Sequence, residues 1–259
     1  VYMAFGDKML LETQYENMKS WADYVRRVDV ERCGGRYLWT DGFHFADWLA
    51  LDNFHKDSCF GATDPYLVAS CYYYYSVSLT AKAAAALDKR EDADYYGNLA
   101  AKIKAAFLDE FYTKTGRLAQ QTQTALALVL WLGLIPEGAR QRQIDALLEK
   151  LNEENMHLTT GFVGTPLLCP VLTENGHADA AYTLLLNEDF PSWLYEVNMG
   201  ATTVWERWNS VLPDGSISDT GMNSLNHYAY GSIVEWMYRY LCGLDARTPG
   251  YGMFRIRPY

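Results

Sequence analysis

Residues 64–89, DPYLVASCYYYYSVSLTAKAAAALDK, read as one long helix with a marked start. Asp64 is an N-cap residue, and Pro65 falls at the first helical position, where its missing N–H leaves no bond unmade. The alanine-rich end suits a helix packed closely on its neighbours. Outward from this segment the same rhythm repeats. Helices are predicted at 7–28, 91–111, 121–132, 138–155, 165–175, 177–187 and 229–244, with breakers at Thr115-Gly116, Ile135-Pro136-Glu137-Gly138, Thr160-Gly161 and Asn175-Gly176. Residues 36–55 are aromatic, glycine-containing and aperiodic, and read as a long loop. Strand character is confined to MFRIRPY (253–259), which alternates and follows Pro249-Gly250.

Helix pairs recurring every ~20–40 residues fit an α/α toroid or an α-solenoid. The long, polar, aromatic connections favour the toroid, where inner-helix ends and loops converge on one pocket.

Bulk properties exclude several functions. The formal net charge of −10 opposes nucleic acid or an anionic membrane surface as principal partner. No stretch approaches the ~20 apolar residues of a membrane helix. Five widely spaced cysteines, none in a CxxC, form neither a disulfide framework nor a zinc site, so no cofactor and no metal is expected. The same spacing, with no visible signal peptide, favours a cytoplasmic setting. Aromatic residues reach 15%, with 20 Tyr and 8 Trp. Most fill a core, but tyrosine and tryptophan also match the apolar faces and polar edges of sugars, which favours a neutral, hydroxyl-rich ligand.

Glycoside hydrolysis commonly uses two carboxylates across the scissile bond. Glu206, in GATTVWERW (200–208), lies between Trp205 and Trp208 on an extended approach; the competing reading is structural, a turn in which Glu206 bonds Arg207 or backbone amides. Asp47, in WTDGFHFADWLALD (39–52), adjoins Trp48 and reads equally as a ligand contact or as the cap of a short helix beginning at Trp48. Asp41 is a further local carboxylate, whereas Asp52 and Asp57 read as solvated. His227, in SLNHYAYGS (224–232), is a polar group at a helix entrance, either structural or sugar-binding. GFVGTPLL (161–168) has the flexibility of a pocket loop.

GATTVWERW followed by SLNHYAYGSIVEWMYRYLCGL resembles the bacterial α-L-rhamnosidases of glycoside hydrolase family 78. FADWLALD is similar to that family's Gly-Asp-Trp-Leu loop, with Ala46 in place of the usual glycine, and residues 160–197 resemble the path into the WERW segment. The resemblance spans nearly the whole chain. It implies an all-α (α/α)6 toroid and inverting hydrolysis of terminal α-L-rhamnosides, with Glu206 as the base that activates water. It implies that Trp48 and His227 contact rhamnose, with Trp205 and Trp208 nearby as further candidates; Asp47 joins the substrate-binding candidates from the reading of its own segment. The family's general acid lies in an acidic motif upstream of the region matching Val1. The expectation is therefore a barrel at 1–248 incomplete at its N-terminus, the start of a β-sandwich at 249–259, and either homo-oligomerisation or association with the missing N-terminal part. A non-catalytic carbohydrate-binding helical domain is the alternative.

Overall fold

The computed structural model describes residues 1–259 except Phe54, Lys56 and Asp57, so the expectation for Asp57 lies outside the described residues. The fold is all-α, built from helical hairpins. After a short α1 (Tyr2–Phe5), α2 (Lys8–Arg32) packs on α3 (Pro65–Ala86), and α3 pairs with α4 (Arg90–Phe111). Two further hairpins follow, α5 (Gln123–Leu132) with α6 (Arg140–Glu153), and α7 (Thr165–Glu174) with α8 (Ala178–Leu186).

The packing divides the helices into two rows. α3, α5, α7 and α10 (Ile233–Trp236) touch in sequence, while α4 and α6 pack outside their hairpin partners. Burial explains the division. In α5 every residue from Gln123 to Leu130 is buried, so the helix is enclosed on all sides and suits an inner position. In α6 the buried set is Gln143, Ile144, Ala146, Leu147 and Leu151, a single stripe that suits an outer one. The predicted start of α3 is present: the Asp64 carboxylate accepts from the amides of Tyr66 and Leu67, at 2.7 and 2.9 Å.

Two expectations change. No helix begins at Trp48, so Asp47 caps none; its side chain is drawn into a different loop, described below. The last helix stops at Leu241 rather than continuing to residue 244, passing from a 3-10 turn through α10 into a π-type turn at Met237–Leu241. Gly243 ends it with φ +70°, and a Cβ there would meet the Arg257 carbonyl carbon at 2.0 Å, so only glycine fits. Beyond it β1 (Leu244–Ala246) pairs antiparallel with β2 (Phe254–Ile256), inside the stretch whose alternation predicted a strand. The sequence also gave no sign of the six-residue α9 (Trp193–Asn198), which leads into the WERW segment.

Among the described residues, no helix is long and apolar enough to cross a membrane.

Candidate active site

Three connections meet at one end of the hairpins. They are the aromatic loop after α2, the 159–164 turn before α7, and the irregular 199–228 segment between α9 and the final helix. Asp47 fastens the first two. Its carboxylate is fully buried and accepts from the Thr124 hydroxyl on α5 and from the amides of Gly161 (2.8 Å), Val163 (2.7 Å) and Gly164 (3.2 Å). Burial pushes this carboxyl above its ordinary range, while the four hydrogen bonds act in the opposite direction. A group enclosed in this way influences a ligand through the loops it holds.

The backbone continues the clamp. The Phe162 amide donates to the Trp48 carbonyl at 2.9 Å, and the Leu51 amide donates to the Thr159 carbonyl at 2.8 Å. Gly161 permits this approach, because an added Cβ would lie 2.2 Å from the Trp48 carbonyl oxygen. Trp48 is half-buried, with its ring edge-on to Phe45 (5.3 Å between centroids) and Phe60 (5.0 Å). Phe43 extends the same wall, 70% exposed. An exposed wall of this kind is unusual in a polypeptide surface and suits an apolar ligand face.

The third segment joins through His227. Its imidazole stacks on Phe162 at 5.1 Å and 26°, and its amide donates to the Val204 carbonyl at 2.8 Å. The Ala229 amide donates to Nδ1 at 3.3 Å, which makes Nδ1 the acceptor nitrogen and assigns the proton to Nε2. The ring is therefore held as a hydrogen-bond donor.

Glu206 is half-buried on the same segment. Its amide donates to the Ser224 carbonyl at 2.8 Å, and the Ser224 amide donates back to Oε2 at 3.2 Å. Backbone and side chain are thus fixed together, and among the described residues Oε1 has no donor. Of the competing structural reading, the Glu206–Arg207 ion pair does not hold, whereas the bond from a backbone amide does, through Ser224. The Arg207 guanidinium reaches Thr220 Oγ1 (3.1 Å) and Cys59 Sγ (3.4 Å), joining this segment to the aromatic loop. Arg207 and Thr220 also line a cavity of about 250 Å³ with Asn53, Asn209 and Phe190.

Trp205 and Trp208 are in the interior, 3% and 1% exposed, with Trp208 stacked on Tyr230 at 4.1 Å and edge-on to Trp193 at 5.2 Å. They support the Glu206 segment from behind. Asp41 pairs with Arg32 at 3.5 Å. Asp52, expected to be solvated, is half-buried; its carboxylate accepts from the Ala62 amide at 2.9 Å, and burial raises its pKa. Phe162, Glu196 and Tyr230 carry no signature in the sequence that singles them out. Phe162 lay in the loop singled out as GFVGTPLL, but nothing in that string named His227 as its partner.

Residues 1–241 match the model of the bacterial alpha-L-rhamnosidase six-hairpin glycosidase domain. The chain belongs to this family. An alpha-L-rhamnosidase of Streptomyces avermitilis is 38% identical over 259 residues, which is all of this chain and 24% of that protein. The crystal structure of a Streptomyces avermitilis alpha-L-rhamnosidase complexed with L-rhamnose superposes with a TM-score of 0.88 at 37% identity, covering 100% of this chain and 24% of the other. The native alpha-L-rhamnosidase of Aspergillus terreus gives 0.91 at 38% identity, covering 100% and 30%. The chain spans about a quarter of the length of the curated relatives it matches. Ala46, beside Asp47 in the aromatic loop, has φ +52°, a left-handed conformation that favours glycine.

Proposed function

We propose that this chain forms the sugar-binding and base-bearing part of an inverting α-L-rhamnosidase that removes terminal α-L-rhamnose from glycosides. The observation that carries the reading is Glu206. It is a half-buried carboxylate with one oxygen anchored by the Ser224 amide and the other left for water, on a segment joined through His227 and Phe162 to the Trp48 wall. In this reading Glu206 takes a proton from the attacking water. His227 donates from Nε2 to a sugar hydroxyl, and Trp48 packs on the apolar face of the ring. Asp47, Trp205 and Trp208 act on substrate by holding the loops that present those groups.

Inversion requires an acid ~6.5–9.5 Å from the base. Asp41 is tied to Arg32 and Asp47 is enclosed by four donors, so the reading assigns the acid to neither. This same observation favours the second reading, a helical domain that binds sugar without turnover. Incubating the natural full-length gene product with an aryl α-L-rhamnoside separates the two. The first reading expects aryl release, with β-L-rhamnose as the first anomer seen by NMR. Retention of configuration would overturn inversion, and binding without release would favour the second reading. We further infer self-association from the exposed apolar side chains of α2, Met9, Leu10, Trp21 and Tyr24. A monomer in sedimentation would refute it.

A further inference from the structure

The cavity of about 250 Å³ beside Arg207 is not used by the groups assigned to rhamnose. Its wall is built from residues that closely follow Trp48 and Glu206 in the chain. Leu49, Leu51 and Asn53 come from the aromatic loop, Arg207 and Asn209 from the irregular segment, and Phe190 from the approach to α9. The volume is below the ~300–1,000 Å³ of pockets for drug-sized ligands and suits a single sugar ring.

Arg207 is the only charged side chain on that wall among the described residues. A guanidinium carries five N–H donors in a fixed fork. Arg207 gives one to the Thr220 hydroxyl and one to the Cys59 thiol, and its Nε has no partner among the described residues. The chain holds 32 acidic residues against 22 basic ones, yet neither of these bonds goes to a carboxylate. Thr220 and Cys59 hold the cation in place without neutralising it. A guanidinium with donors to spare selects a planar anion, because its fork matches a carboxylate.

The rest of the wall suits a sugar. Asn53 spends its amide hydrogens on the Ala50 and Ser58 carbonyls, at 3.1 Å each, which leaves Oδ1 as an acceptor for a hydroxyl. Asn209 adds an amide that both donates and accepts. Leu51 and Phe190, 36% and 41% exposed, add apolar surface for C–H groups. A carboxylate, hydroxyls and an apolar ring face occur together in a uronic acid.

We propose that this cavity is a subsite for a uronyl unit of the glycoside, its carboxylate bound by Arg207 and its hydroxyls by Asn53 and Asn209. The substrate is then a rhamnoside of an acidic saccharide. Continuity of the cavity wall with Trp48 and Glu206 sets the uronyl unit next to the rhamnose. Only this adjacency rests on the reading of Glu206 and Trp48 as the rhamnose site.

Two measurements on the natural full-length gene product keep the claims apart. The first is binding of D-glucuronate and D-glucose by ligand-observed NMR at fixed ionic strength, which needs no turnover. Glucuronate should bind at least about tenfold more tightly than glucose, the worth of one charge-assisted hydrogen bond. Arg207→Gln should abolish that preference. Asn209→Asp leaves Arg207 and its two bonds in place but supplies the cavity with its own carboxylate. It should weaken glucuronate by about tenfold or more and glucose by less than about twofold, and it decides the matter if Arg207→Gln does not fold. Equal affinity for the two sugars would overturn the proposal, as would glucuronate binding that survives Asn209→Asp, or sulfate competing as well as glucuronate. The second is kcat/KM on α-L-rhamnosyl-glucuronate against α-L-rhamnosyl-glucose of the same linkage. The wild type should prefer the acidic disaccharide by about tenfold and Asn209→Asp should lose the preference; a wild type without preference would overturn the proposal. If glucuronate binds through Arg207 while no rhamnoside is cleaved, the functional reading fails and the acidic-sugar site stands.

Discussion

The Phe162 ring lies on the His227 imidazole, 5.1 Å between centroids and 26° from parallel, and couples two loops that are 65 residues apart in the sequence. Phe162 also donates its amide to the Trp48 carbonyl. A single residue thus aligns the aromatic wall with the segment that carries Glu206. Replacing Phe162 by alanine removes the stack while leaving the amide bond. The expected result is a fall in kcat/KM of about tenfold or more, from misplacement of His227, and a stability loss of about 1–2 kcal/mol. Steady-state kinetics and chemical denaturation check both values.

Gly161 sets how closely the two loops approach. In Gly161→Ala the new methyl group would stand 2.2 Å from the Trp48 carbonyl oxygen and 2.6 Å from the Ala50 nitrogen, both backbone atoms that yield poorly. We expect destabilisation of about 1–3 kcal/mol, seen as a lower Tm, together with weaker sugar binding by calorimetry. An unchanged Tm would show that this contact is not tight.

Asp47 distributes four hydrogen bonds from a site without solvent. Asparagine places a donor where donors already converge. Asp47→Asn should therefore cost about 3 kcal/mol or more in denaturant unfolding, a loss typical of a broken buried charged network.

Ala46 makes the opposite prediction. Its φ of +52° is strained for a side chain with a Cβ, so Ala46→Gly should stabilise the protein by about 1 kcal/mol. Thermal unfolding tests the sign, and a lower Tm would contradict it.

Glu196 predicts a pH dependence of stability. Burial on α9 pushes its folded pKa up to about 8, above the unfolded value near 4.5. Between those values the unfolded chain loses a proton that the folded one keeps, so stability falls as pH rises through this window. The contribution is fully present below about pH 4.5 and lost above pH 8. Glu196→Gln should flatten that slope, making the variant the more stable protein at pH 8.5 in urea titrations.

The sequence carried the helices because their signals are local. Asp64 and Pro65 mark the start of α3, and the spacing of Ile144, Leu147 and Leu151 marks the buried stripe of α6. Glu206, Trp48 and His227 were legible as an acid, an indole and an imidazole in unusual company. Their relation was not, since it passes through Phe162, a residue with no chemical signature of its own. Asp47 illustrates the same limit. As a string, Asp-Trp after a glycine-containing loop reads equally as cap and ligand contact, and the donors that engage it, Thr124 and the 161–164 amides, are 77 to 117 positions away. Glu196 went unnoticed for a related reason: an acid in a six-residue helix looks solvated until its burial is known.

The central claim is that Glu206 activates water. It is tested most directly by comparing Glu206→Gln with the wild type on an aryl α-L-rhamnoside, with rhamnose affinity measured in parallel. The account predicts that kcat falls by about 10²–10⁴-fold while rhamnose still binds, because glutamine keeps the acceptor that Ser224 holds and loses only the basicity. Equal turnover by the two proteins would contradict it.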